Sequence, residues 1–191
     1  MKIEFIIPSY NSSQRLMTIL YSLVSQTNPN WTAHVVVDSL LPMEYQSVVD
    51  WFRFEKRVRF SFIDGPNKDW GHTCRNYGIK DIKEKWVVMT GDDNYYMPLF
   101  VDDFLKAASQ PRVNFVFCNM VHNNFNYAPV NCAVGAGRID IGNAMFLSEN
   151  LKGFELDKTD YNADWKLIEH YHRKYKHEKT LKIEKILYVH N

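Results

Sequence analysis

Apolar residues recur along this chain in two rhythms. Short unbroken runs, "KIEFIIP" at 2–8, "WTAHVVVD" at 31–38 and "WVVMT" at 86–90, carry β-forming residues with little polar alternation, the pattern of strands covered on both faces. Between the first two, residues 12–26 set Leu16, Ile19, Leu20, Leu23 and Val24 on one helical face behind serines suited to a helix start. "MEYQSVVDWFRF" behind Pro42 predicts a second helix, "RVRFSFI" at 57–63 a third strand and "HTCRNYGIKDI" at 72–82 a short helix. The resulting βαβαβαβ order predicts an α/β fold, a three-layer α/β/α domain with a mostly parallel central sheet. Beyond it the alternation loosens. "NFVFCNMV" at 114–121 reads as a strand, "APVNCAVGAGR" as a Gly- and Ala-rich loop and "RIDIGNAMF" at 138–146 as mixed strand and turn. "DYNADWKLIEHYHRKY" at 160–175 reads as a helix and "KIEKILYVH" at 182–190 as a last strand. No linker or repeat divides the chain, so residues 1–191 read as a single domain.

Ligands of such sheets gather at the carboxyl ends of the strands. Four segments fall there: "PSYN" at 8–11, Asp38, "DGPN" at 64–67 and "TGDD" at 90–93. The last is the most demanding. Asp92 and Asp93 repel each other and lose hydration behind a buried strand, unless a cation offsets them or the edge is solvated. An ordinary surface turn is the alternative.

Composition narrows the partner. Lys plus Arg number 23 against 22 Asp plus Glu, a net charge of +1 that gives no electrostatic reason to expect a nucleic-acid partner. No window is apolar enough for a membrane segment, and Glu4 and Pro8 interrupt the opening apolar run in a way that does not fit a signal peptide. Cys74, Cys118 and Cys132 form no close-spaced pair, which argues against a disulfide framework or zinc site and suits a reducing, cytoplasmic compartment. The sequons at Asn11 and Asn30 carry no weight, because such triplets arise by chance.

"IIPSYN", Asp38 after "VVV", "WGHTCRNYGI", "WVVMTGDDN" and "NADWKL", in that order from Ile6 to His190, resemble the GT-A fold glycosyltransferases, especially those of family 2. More narrowly they resemble the N-terminal glycosyltransferase domain of a large algal-virus enzyme, which implies a longer multidomain chain and a host cytoplasm. The resemblance implies a UDP-sugar donor held by a nucleotide-binding half, 1–95, and a carbohydrate acceptor, glycan or glycoprotein, on an acceptor half, 96–191. Pro8, Ser9, Tyr10 and Asn11 match the loop that holds the base, Asp38 the acid that meets uridine, and Arg75 and Asn76 the segment facing the nucleotide. Gly91 and Asp92 match the metal motif, with Thr90 in place of its first aspartate. Mn²⁺ (or Mg²⁺) is the implied cofactor, with Asp92 and His190 as its protein ligands. Asp140 matches the floor beneath the sugars, where Gly135 and Gly137 permit close backbone approach, and Asp164 the catalytic base, with Ala163 where the family carries Glu.

The chemistry agrees with these roles: Tyr10 can stack on a pyrimidine, and a guanidinium gives paired hydrogen bonds to phosphate. Plainer readings stand beside them. Tyr10 reads also as an ordinary half-buried aromatic, Asp38 as a turn residue, Arg75 as a surface salt bridge, His190 as a frayed terminal residue and Asp164 as a helix cap. His72 and Trp70 receive no role, and the basic run at 172–179 reads as a solvated helix face, with contact to an anionic acceptor as the alternative. The expected activity is metal-dependent transfer of a hexose or deoxyhexose from a UDP-sugar, inverting if Asp164 is the base. The alternatives are a retaining transferase, in which Asp164 orients the sugar, and a non-catalytic nucleotide- or carbohydrate-binding domain. A pyrophosphorylase is disfavoured, since "PSYNSSQR" lacks a Gly-rich basic phosphate loop.

Overall fold

All seven residues of β1 (Ile3–Ser9) are buried, which accounts for the unalternating run that encodes it. In the computed structural model, which describes residues 1–40, 42–175 and 179–191, β1 is central. It pairs in parallel with β2 (Trp31–Val37) on one side and β4 (Trp86–Met89) on the other, and β3 (Val58–Phe62) lies parallel outside β2. The second half is mixed. β8 (Ala144–Leu147) runs antiparallel to both β4 and β6 (Val113–His122), and β9 (Lys179–His190) runs parallel to β6 and antiparallel to β5 (Tyr95–Tyr96). The order β3-β2-β1-β4-β8-β6-β9-β5 makes one sheet, with β7 (Ala128–Val130) paired beside β6.

Helices α1 (Ser13–Val24), α2 (Gln46–Phe52), α3 (His72–Lys80) and α5 (Ala163–Lys174) lie where the periodicity predicts them, each with trimmed ends. A 3₁₀ turn, Pro42–Tyr45, precedes α2. The sequence reading assigned no element to residues 98–112, where α4 (Phe100–Ala108) forms and buries Phe100, Val101, Phe104, Leu105 and Ala108 against the sheet. Phe100 stacks on Phe104 at 3.9 Å and meets Tyr96 edge-on at 4.5 Å, so α4 anchors the start of the second half. Residues 176–178 of the predicted basic run lie outside the described residues.

Glu4 is the one charge within the β1 run and is 1% exposed. Its carboxylate accepts from Arg59 Nη2 at 2.7 Å, from the Lys83 amide at 2.6 Å and from the Glu84 amide at 3.2 Å, joining β1, β3 and the turn before β4. Removing one member of such a buried set strands the others. Glu4→Ala is expected to lower unfolding free energy in urea by about 3 kcal/mol, and Glu4→Gln by clearly less because an acceptor oxygen remains.

Candidate active site

The carboxyl ends of β1, β2 and β4 open into a cavity of about 690 Å³, closed from the other side by the start of α5 and the ends of β6 and β9. Pro8, Ser9 and Tyr10 line it from the end of β1, and Tyr10 is 52% exposed, so its ring is free for a ligand. Asn11 sits outside the lining, exposed, with a positive φ of 49°. Asp38, just past β2, accepts from the Asn67 amide at 2.9 Å and from Asn67 Nδ2 at 2.5 Å, and so fixes the 64–67 turn. Only glycine fits at position 65, because a Cβ there would stand 2.4 Å from the Asp38 carbonyl oxygen.

Arg75 lies in the first turn of α3, 9% exposed. Its Nη1 donates to the Trp70 carbonyl at 2.8 Å and its Nη2 to the Thr90 carbonyl at 3.3 Å, while buried Nε has no partner among the described residues. No carboxylate lies within ion-pair distance of it among the described residues, which removes the salt-bridge reading. A buried cation satisfied only by neutral carbonyls is costly and is relieved by an anion in the cavity. Asn76 corrects the sequence expectation. Its amide donates to the Leu156 carbonyl at 2.9 Å and accepts from the Leu156 amide at 2.7 Å, so it ties α3 to the second half and does not line the cavity.

Asp92 hangs from the end of β4. Its Oδ2 accepts from Ser9 Oγ at 2.5 Å and from Ser12 Oγ, and Tyr45 in turn holds Ser9 at 3.0 Å. Burial pushes the Asp92 carboxyl above the usual carboxylate range; the two serine hydroxyls counter this in part, and the Asp93 charge adds to it. Thr90, which the sequence resemblance sets at the first aspartate of a metal motif, is fully buried and outside the lining, its Oγ1 engaged by Asn94 Nδ2 at 3.2 Å.

The far wall is built on Asp140. Its Oδ1 accepts from the Gly142 amide at 2.7 Å and from Tyr188 Oη at 2.9 Å, and Oδ2 faces His190 Nε2 at 3.4 Å. His190 is not frayed: it pairs in register with His122 at the end of β6, and the two imidazoles stack at 4.0 Å. Burial opposes its protonation, yet the bond to Asp140 and the charges of Asp140, Asp93 and Asp164 outweigh that and raise its pKa. Burial likewise works against the Asp140 carboxylate, and His190, the Gly142 amide and Tyr188 overcome it, so its pKa is lowered. The signs give a window. Asp140 contributes stability above the ordinary carboxylate range and loses it as pH falls. His190 contributes below the ordinary imidazole value and loses it as pH rises through its raised one. His190→Gln is therefore expected to flatten the decline in melting temperature as pH rises above the ordinary imidazole value in metal-free buffer.

Asp164 is the second residue of α5; Asn162 holds the N-cap position but makes no side-chain cap bond, so a helix-start role for Asp164 stands beside the catalytic one. Its Oδ1 accepts from the Trp165 amide at 2.7 Å, and the residue lines the cavity. Asp38, Asp69, Asp92, Asp93, Asp140 and Asp164 all reach the lining, against Lys68 and Arg75 as permanent cations. Asp69 was missed by the sequence reading. It accepts from Thr73 N at 2.8 Å and fixes the start of α3, a side chain-to-backbone bond visible only once the helix start is located. The aromatics Trp70, Tyr161 and Phe125 also reach the cavity, each more than half exposed.

Among the described residues no group of three or more His, Cys, Asp and Glu side chains is arranged to hold a metal ion. One Asp92 oxygen is taken by two serines and His190 Nε2 faces Asp140, leaving the second Asp92 oxygen without a protein partner among the described residues. Such a set fits a divalent ion whose shell is completed by diphosphate oxygens and water, not one held by protein alone.

The sequence that builds this cavity belongs to a known class. The glycosyl transferase family 2 model matches residues 4–133, and the chain belongs to that family. A Haemophilus influenzae protein described as an uncharacterized glycosyltransferase is 28% identical over 130 residues, which are 65% of this chain and 42% of that protein. The chain therefore spans less than half the length of that relative. Its fold is the GT-A fold. Staphylococcus aureus TarS 1-349 superposes with a TM-score of 0.81 at 18% identity over 100% of this chain and 60% of that one. TarS 1-349 in complex with UDP-GlcNAc gives 0.77 at 18% identity over 99% and 58%. The mannosyltransferase PcManGT from Pyrobaculum calidifontis, in complex with GDP-Man and Mn²⁺, gives 0.71 at 18% identity over 98% and 56%.

Proposed function

We propose that this chain transfers a hexose or deoxyhexose from a UDP-sugar to a hydroxyl of a carbohydrate acceptor, with inversion at the anomeric carbon. The observation that carries this is Arg75, a buried guanidinium without a carboxylate partner among the described residues, facing a cavity at the strand ends. A diphosphate supplies the missing counter-charge. The solved relatives with UDP-GlcNAc or GDP-Man support a nucleotide-sugar as donor. Tyr10 stacks on the pyrimidine, Asp38 accepts from its polar edge or ribose, and Ser9 and Gly91 line the path of the diphosphate.

In the transfer the acceptor oxygen attacks the anomeric carbon, the bond from that carbon to the diphosphate oxygen breaks, and the electron pair leaves on UDP. Arg75 stabilises that growing charge, and Asp164 takes the acceptor's proton. Asp140 orients sugar hydroxyls from the floor. Asp92, with His190 once released from Asp140, would hold Mn²⁺ or Mg²⁺, which supplies further positive charge to the leaving diphosphate. The crowd of aspartates supports this need for cations when a diphosphate enters. No helix among the described residues is long and apolar enough to cross a membrane, and the three cysteines are free and buried; we place the activity in a reducing, cytoplasmic compartment. The test is a screen of nucleotide sugars for UDP release, with acceptor glycans and with Mn²⁺ or chelator. UDP-sugar turnover lost on chelation is expected. UDP binding without turnover of any donor would leave a binding domain instead.

A further inference from the structure

Trp70 occupies a backbone conformation that bulky residues avoid. Its φ is +57°, next to Lys68 at +53° and Gly71 at +83°, and a left-handed tryptophan costs about 1 to 2 kcal/mol. The surroundings hold it there. Its carbonyl accepts from Arg75 at 2.8 Å, Asp69 fixes the turn that follows, and His72 Nε2 bonds the Asp160 carbonyl at 3.1 Å, tying this loop to the segment that carries Tyr161. These locks fix backbone, while the indole they present stays 53% exposed and Tyr161 66% exposed. The two rings meet edge to face, 5.5 Å apart at 76°, and both line the cavity that holds Asp164, three residues beyond Tyr161. A core role does not explain two large rings left in water, and a surface role does not explain the strain.

We infer that the Trp70–Tyr161 corner is the acceptor subsite, and that it takes the C–H face of a pyranose ring. This rests on the transferase reading above and adds the chemistry of its second substrate. A pyranose has an apolar face of ring hydrogens and a polar rim of hydroxyls. An aromatic face matches the first, and the carboxylates around the cavity, Asp164 among them, match the second. The corner selects for ring orientation. A pyranose lying on the indole and bounded by the tyrosine edge presents its rim to the α5 start, where the base stands. The diphosphate is held apart from it by the Arg75 guanidinium, which bonds Trp70 through the Trp70 carbonyl and not through the indole.

Saturation-transfer NMR on the UDP-loaded protein, with methyl pyranosides of gluco, galacto, manno, fuco and rhamno configuration as probes, tests the assignment. At least one glycoside is expected to receive saturation mainly on the ring hydrogens of one face. Trp70→Ala and Tyr161→Ala should each weaken that glycoside by about tenfold, Trp70→Phe by less, and UDP affinity by calorimetry should stay at the wild-type value. Tyr161 carries no backbone strain, so its variant remains informative if the Trp70 variant fails to fold. The assignment is overturned if no glycoside is saturated by the UDP-loaded wild type or if both variants bind it as wild type does. It is also overturned if UDP weakens in step with the glycoside, which would give the rings to the donor. Failure of wild type to bind UDP at all would instead overturn the transferase reading on which the assignment rests.

Discussion

Asp164→Asn is expected to reduce sugar transfer by about 10²- to 10⁴-fold while leaving UDP affinity and melting temperature near wild type. A sugar hydroxyl is a poor nucleophile until its proton begins to leave, and asparagine cannot take that proton at neutral pH. The substitution is nearly isosteric. Asn keeps an oxygen for the Trp165 amide, and since Asn162 occupies the N-cap position, α5 loses little more than a favourable charge in its first turn, about 0.3 to 1 kcal/mol. Single-turnover rates with saturating donor separate this from a binding defect. An unchanged rate would remove Asp164 from the proton path, and a product that retains the donor's configuration would exclude direct inverting displacement even if the variant were inactive.

The second large effect belongs to Arg75. Arg75→Met should lower transfer by about 10²- to 10³-fold, the scale of losing one preorganised donor to developing charge, and weaken UDP in the same variant. Stability should respond weakly. Two carbonyls, of Trp70 and Thr90, lose their donor, but a buried charge without a carboxylate partner among the described residues is removed as well. Arg75→Lys retains the charge without the paired geometry and should fall between the two. Calorimetry with UDP against uridine distinguishes the sites: uridine, lacking phosphates, should bind both variants as it binds wild type. A stability loss as large as the loss of activity would mark Arg75 as structural.

The first half was legible because its signals are local. The runs at Ile3–Ser9, Trp31–Val37 and Trp86–Met89 are buried on both faces, so composition alone marks them as strands, and the parallel order then brings Asp38, Arg75 and Asp92 to one edge. The second half was less so. α4 was overlooked although Phe100, Val101, Phe104, Leu105 and Ala108 repeat at helical spacing, with Pro98 and paired aspartates obscuring its start. Asn76 is set toward the nucleotide by the segment resemblance it shares with Arg75; which way a helical residue turns depends on Leu156, distant in the chain. Trp70 drew no role because a positive φ leaves no trace in composition when the residue is not glycine. His190 was readable as a candidate ligand, but its engagement by Asp140 and stacking on His122 come from pairing of strands far apart in sequence.

The position of β9 bears on how the chain reaches this state. β9 lies between β6 and β5 in the sheet, so both strands that flank it are made earlier and wait for it. Until it inserts, β6 presents a long apolar edge of unpaired backbone groups, the surface that recruits other chains. Insertion closes a contact of large sequence separation, which is slow to form. Folding of this domain is therefore expected to be most sensitive to chaperones and to expression temperature in the interval before β9 docks. The same event completes the cavity, by bringing His190 to Asp140.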